Sequence, residues 1–120
     1  MKADGITYLT DVALITCIVP VGRADTVIQA AQGMGAPGAI VYHAHGIGPR
    51  ERLGLLSIAI DAEKEVVSLL VATDYQHAVL EAIYHAANLN VPGAGMVYAT
   101  PVEKVATYIP RDMLEQGSVS

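Results

Sequence analysis

Phenylalanine and tryptophan are absent from the chain, tyrosine is its only aromatic residue, and cysteine occurs once. A core must therefore be assembled from Val, Ile, Leu and Ala, which suits strands and small-residue helices. The lone Cys17, flanked by Thr16 and Ile18, excludes a disulfide framework within the chain. It reads as a buried apolar thiol, and with it a cytoplasmic setting is expected. Basic residues are scarce and scattered, seven against twelve acidic ones for a formal charge of −5, so a nucleic-acid footprint is not expected. Long apolar runs are also missing: Val66–Ala72 is strand-length, far short of the ~20 residues that span a bilayer. Met1–Gly5 carries no apolar signal region.

What is present is aliphatic. The 120 residues are 52% hydrophobic with a mean hydropathy of +0.41. That length predicts one domain over 1–120. A chain of this size buries only about two-thirds of its unfolded surface by itself. So much apolar content predicts that part of it is covered by further copies, making a homo-oligomer.

Taken in order, residues 1–10 read as a polar, flexible lead-in. Val12–Val19 is a nearly unbroken β-branched run and predicts a central strand buried on both faces, ended by Pro20. From Gly22 to Gly33 the spacing of Ala24, Val27, Ile28 and Ala31 is helical, and Gly33, Gly35 and Pro37 stop the helix. A second strand is expected over 38–45, then a glycine-hinged charged loop over 46–54. Leu55–Ile60 and Glu65–Ala72 read as strands about a tight hairpin at Asp61–Lys64. Asp74 is expected to cap a helix running to about Ala87, with Ala78, Val79, Ala82, Ile83 and Ala86 on its apolar face. Met96–Ala99 and Val102–Ile109 are the last expected strands, followed by a loose tail over 110–120.

The two halves resemble each other. Pro37-Gly38-Ala39 recurs as Pro92-Gly93-Ala94, and Val27–Ala31 echoes Val79–Ile83. A duplicated split βαβ unit predicts an α+β, ferredoxin-like βαββαβ fold: four antiparallel strands with both helices on one face. The other face, if apolar, is left for neighbouring subunits.

The chemistry-bearing candidates are few. Exposed amides at the turns holding Gly38, Gly93 and Gly95 can cradle a phosphate, or can simply make tight turns. Arg50 and Arg52 suit bidentate recognition of an anion, or serve as an ordinary solvated loop tip. His43 and His45, two apart on a strand, share a face and suit a metal or a polar strand end, but no Cys or carboxylate lies nearby in sequence to complete a set. His77 and His85 are expected on a helix surface, and Glu63 and Glu65 in solvent beside the hairpin. Ser57 and Ser68 have no nucleophile elbow, so no enzyme is expected.

On these residues the chain resembles the nitrogen regulatory P-II signalling family over about 12–109. Gly46-Ile47-Gly48 is similar to the family's Gly-Phe-Gly entry to a mobile T-loop. Val91–Tyr98 is similar to its glycine-rich B-loop, and Thr100–Val105 to the strand carrying Pro-Val-Glu-Arg-Val. The resemblance implies a ferredoxin-like homotrimer that binds adenine nucleotides between subunits and regulates a membrane transporter or a metabolic enzyme through its T-loop, here 46–54. By position it implies nucleotide contacts at Gly38, Ala39, Ile40, Gly46, Gly48, Gly93, Ala94 and Gly95, with Arg50 and Arg52 as possible anion contacts. AMP, ADP, ATP and cyclic AMP are the candidate effectors, and no cofactor is certain.

The chain departs from the pattern at the phosphate contacts. Met96 replaces the B-loop lysine, Ala94 its aspartate, and Thr107 and Ile109 fall where phosphate-holding arginines stand. The loop is shorter and lacks the family's tyrosine and glutamine. With each charge-assisted bond worth on the order of 1.5–3 kcal/mol, a monophosphate, a cyclic nucleotide or a small anion such as bicarbonate fits the depleted cleft better than a triphosphate. Two other readings stand beside this one. The first is a metal-binding trimer similar to the divalent-cation-tolerance CutA family, through His43 and His45. The second is a small enzyme acting on a nucleotide, with the loop arginines as clamps.

Overall fold

The computed structural model describes residues 2–3, 5–36, 38–45 and 63–110. The expected loop at 46–54, the strand at Leu55–Ile60 and the tail at 111–120 lie outside them.

The elements are β1 (Lys2–Ala3), β2 (Ile6–Leu9), β3 (Val12–Pro20), α1 (Ala24–Gly33), β4 (Ile40–His45), β5 (Glu63–Ala72), a short 3₁₀ turn (Thr73–Tyr75), α2 (Gln76–Ala86), β6 (Met96–Val102) and β7 (Val105–Ala106). The main sheet has the order β4-β5-β3-β6, antiparallel throughout. This is the ferredoxin-like arrangement expected from the duplicated halves, with the β-branched run of β3 at its centre.

Alternation sorts the sheet into two faces. Ala13, Ile15, Cys17 and Val19 of β3 and Val67, Leu69 and Val71 of β5 point to the helices. There they pack with Ala24, Val27 and Ala31 of α1 and Val79, Ile83 and Ala87 from α2 and its end. The opposite face leaves Ile40, Tyr42, Leu70 and Tyr98 open to solvent. Exposed apolar side chains on one face of a sheet suit an interaction surface.

The helices end alike, which the duplication predicts. After α1 the amide of Ala36 donates to Ala31 O (3.1 Å) and Gly35 takes a left-handed φ of +92°. After α2 the amide of Leu89 donates to Tyr84 O (3.0 Å), with Asn88 in the left-handed position at φ +57°. Both are Schellman-type closures, made by Gly and by Asn, the residues that tolerate that conformation.

Four expectations are corrected. The irregular lead-in expected over 1–10 instead contains a paired strand at Ile6–Leu9: β2 pairs with β7, Tyr8 with Ala106 and Leu9 with Val105, in the same offset as Val12 with Val102 in the main sheet. The β3–β6 ladder thus resumes past a break at Thr10–Asp11, and Lys104 Nζ rests 5.0 Å above the Tyr8 ring. The pairing is between chain ends, so no local pattern announces it. The expected strand Val102–Ile109 is reduced by the same break to β7, with 107–110 irregular. Glu63 and Lys64 are not turn residues; they belong to β5, opposite His45 and Ala44. Asp74 is not a helix cap: it lies inside the 3₁₀ turn, and the residue before α2 is Tyr75, with no side-chain cap bond.

Candidate functional site

One end of the main sheet gathers the end of β4, the start of β5, the β3–α1 turn and the start of β6. Its centre is Glu65. Position 65 is in phase with Val67, Leu69 and Val71, so its carboxylate points to the helix side rather than to solvent. It is 14% exposed. Oε1 accepts the amides of Gly22 (2.7 Å) and Ala24 (3.0 Å), while Oε2 lies 3.4 Å from His43 Nε2 across the β4–β5 ladder. Arg23, at the cap position of α1, makes no side-chain cap bond. A strand residue therefore satisfies the first amide of the helix, that of Ala24, and the Gly22 amide just before it. The amide of Ala24, then that of Gly22, then His43 hold the Glu65 carboxyl below the usual carboxylate range. The expectation that Glu65 stays in solvent is overturned. A Glu standing in a core-facing phase was the available signal.

This arrangement bears on two chemical questions. The Ala24 amide at the start of α1 and the Gly22 amide before it are occupied by Glu65, so these two are not open to an external anion. His43 is engaged with a carboxylate that is itself committed to backbone donors. Among the described residues no group of three or more His, Cys, Asp or Glu side chains is arranged to hold a metal.

At the same end, the turn before β6 is pressed against the sheet. Gly95 has φ +126°, and a Cβ there would run into the carbonyl oxygen of Ile18 in β3 and lie 3.2 Å from Val19 Cγ1. Only glycine fits. Gly93 is also left-handed, at φ +81°. The turn Val91–Ala94 is closed by the Ala94 amide on Val91 O (3.1 Å). Met96, in the position where a lysine was looked for, pairs with Ile18 and is half-buried.

Gly38, Ala39 and Ile40 lie on the opposite edge, entering β4, and all are exposed; Ile40 is 70% exposed. The order β4-β5-β3-β6 puts three strand spacings, roughly 14 Å, between this edge and that of β6. One chain therefore does not bring Gly38–Ile40 and Gly93–Gly95 together on one small ligand. Gly46, Gly48, Arg50 and Arg52 lie outside the described residues. Thr107 and Ile109 follow β7, beyond the break in the ladder and away from the Gly95 turn. His45 is exposed at the end of β4, and His77 is exposed on α2, paired with Glu81 at 2.9 Å. Among the described residues no helix is long and apolar enough to cross a membrane.

An antiparallel β4-β5-β3-β6 sheet, two helices on one face and a glycine turn seated on the central strand define a ferredoxin-like domain. The model of the family "Nitrogen regulatory protein P-II" matches residues 12–111, and the chain belongs to that family. Among solved structures it is similar to Arabidopsis thaliana PII bound to citrate, at 21% identity and a TM-score of 0.62, covering 78% of this chain and 79% of that one. At that identity the likeness speaks for the fold. No curated protein sequence matches the chain significantly.

Proposed function

We propose that the chain is a P-II-type signal-transduction protein and not an enzyme. It binds a small anionic effector in clefts between the subunits of a homotrimer, and it regulates a transporter or metabolic enzyme through the 46–54 segment. The effector is an adenine nucleotide or a smaller anion.

The observation that carries this reading is the placement of the two glycine-bearing segments on the two open edges of one sheet. Gly38–Ile40 on the β4 edge and Gly93–Gly95 on the β6 edge are too far apart within a chain. Apposing the β4 edge of one copy with the β6 edge of the next makes a single cleft from both. The apolar face with Ile40, Tyr42, Leu70 and Tyr98 supplies surface for that assembly. Family membership supports the regulatory role, and the citrate bound to the plant PII is consistent with small-anion binding.

The ligand chemistry follows from what lines the B-loop turn. With Met96 in place of a cation, a β,γ-phosphate gains little there. ATP is therefore expected to bind no more than about tenfold tighter than AMP, a difference of about 1.4 kcal/mol. Isothermal calorimetry with AMP, ADP, ATP and cyclic AMP tests the reading. Saturable heat from at least one is expected, reduced by Ile40→Glu at the cleft edge. No heat from any of them, with the oligomer folded and intact, removes the nucleotide from the account.

A further inference from the structure

No carboxylate lies next to His43 and His45 along the chain, but the β4–β5 ladder supplies two. His43 stands opposite Glu65, and His45 opposite Glu63. Residues two apart on a strand share a face, so these four are in phase with Val41 and Val67 and leave the sheet on the helix side. Lys64, between the two glutamates, points the other way. Facing pairs in such a ladder stand about 5 Å apart at Cβ, and alternate residues of one strand about 7 Å apart. Two imidazoles and two carboxylates are thus gathered at one end of the sheet, on the helix-side face and not on the open face given to assembly.

The four side chains have different freedom. Glu65 is committed: Oε1 accepts the amides of Gly22 and Ala24, and Oε2 lies 3.4 Å from His43 Nε2. That contact orients the His43 ring through one nitrogen and leaves Nδ1 for a ligand. A carboxylate holding one imidazole nitrogen while the other binds a metal is the usual outer shell of a histidine ligand. The His43 side chain is 60% exposed, and His45 and Glu63 are exposed as well. As the side chains stand, no three of them converge on one point. Convergence requires only rotation of the exposed His45 and Glu63, with no movement of backbone.

We propose that His43 through Nδ1, His45 and Glu63 bind one divalent cation of the zinc and copper class, with Glu65 as the outer carboxylate that positions His43. Two imidazoles and one carboxylate suit these metals and leave a coordination position open. All four residues come from one chain, so the site does not rest on the effector reading, and its test leaves nucleotide out.

Equilibrium dialysis of the folded protein, in whatever assembly it forms, against zinc chloride at mildly alkaline pH tests it, with circular dichroism to verify that each variant is folded. One zinc per chain is expected. The imidazole resonances of His43 and His45 are expected to shift, while those of His77 and His85 on α2 stay in place. Affinity is expected to fall about 10–100-fold in Glu65→Gln, which keeps an oxygen for the amides but loses the charge behind His43, and by at least that factor in His45→Ala and Glu63→Gln. The proposal is overturned if the folded protein takes up no zinc, as when a neighbouring copy covers this face, or if it takes up one zinc per three chains. It is also overturned if the shifts fall on His77 and His85 instead, or if folded His45→Ala and Glu63→Gln bind zinc as tightly as wild type. A Glu65→Gln protein that binds as tightly as wild type overturns the positioning role.

Discussion

Glu65 Oε1 stands 3.0 Å from the amide of Ala24, the first residue of α1, and so caps from β5 a helix whose own cap position, Arg23, makes no side-chain cap bond. The same carboxylate reaches Gly22 and His43. It ties the start of α1 to the strand that leads into residues 46–62.

Removing that side chain is expected to lower the thermal midpoint, because Glu65→Ala leaves the amides of Gly22 and Ala24 without their acceptor. Glu65→Gln, which keeps one oxygen, is expected to lose less. Thermal unfolding followed by circular dichroism ranks the three proteins. A Glu65→Ala midpoint equal to wild type contradicts the cap.

The pH dependence has a definite sign. The Glu65 carboxyl is depressed in the folded chain, so the stability it contributes is present above the unfolded carboxylate value, about pH 4.3. It is lost as pH falls through the still lower folded value. The difference in urea midpoint between wild type and Glu65→Gln is expected to be full at neutral pH and to shrink toward zero in acid. A difference that grows on acidification reverses the assignment.

Gly95→Ala is expected to be among the most damaging single substitutions. The new Cβ meets the Ile18 carbonyl oxygen, and the φ of +126° is strained for any L side chain. Backbone strain alone contributes about 1–3 kcal/mol, before the collision is added. Gly38→Ala has open space at its Cβ and is expected to be far milder. Urea unfolding of the pair gives the contrast; equal losses contradict the close approach.

Cys17 is fully buried in the core, and burial pushes its thiol up to about 12. Disulfide-exchange reagents act on the thiolate, so the folded chain is expected to be unreactive at mildly alkaline pH and to react only as it unfolds. Rates measured across a urea series check this; a fast reaction in the native state contradicts the burial.

The aliphatic runs and helical spacing of the chain revealed β3, α1, β4, α2 and the duplicated plan, because those elements are dictated by side chains a few positions apart. What escaped was non-local. The β2–β7 pairing joins residues nearly a chain length apart, and the polar composition of 1–10 concealed it. Asp74 has the right chemistry for a cap, yet a 3₁₀ turn intervenes before Gln76. Asp74→Ala is accordingly expected to change stability by no more than about 0.5 kcal/mol. Glu65 looked like a hairpin residue because its partners lie 41 and 43 positions away. Gly38, Gly93, Gly95, Arg50 and Arg52 stood out as glycine turns and a charged loop, whereas Ala39, Ile40, Gly46, Gly48 and Ala94 entered only through the resemblance, because the proposed cleft joins two copies of the chain.

The central claim is that the effector site is completed by a neighbouring copy, and native mass spectrometry with and without added nucleotide tests it most directly. The account predicts a particle of three times the 12.6 kDa chain mass that takes up nucleotide only in the assembled form. A single 12.6 kDa chain that remains monomeric, or that binds nucleotide as a monomer, contradicts it.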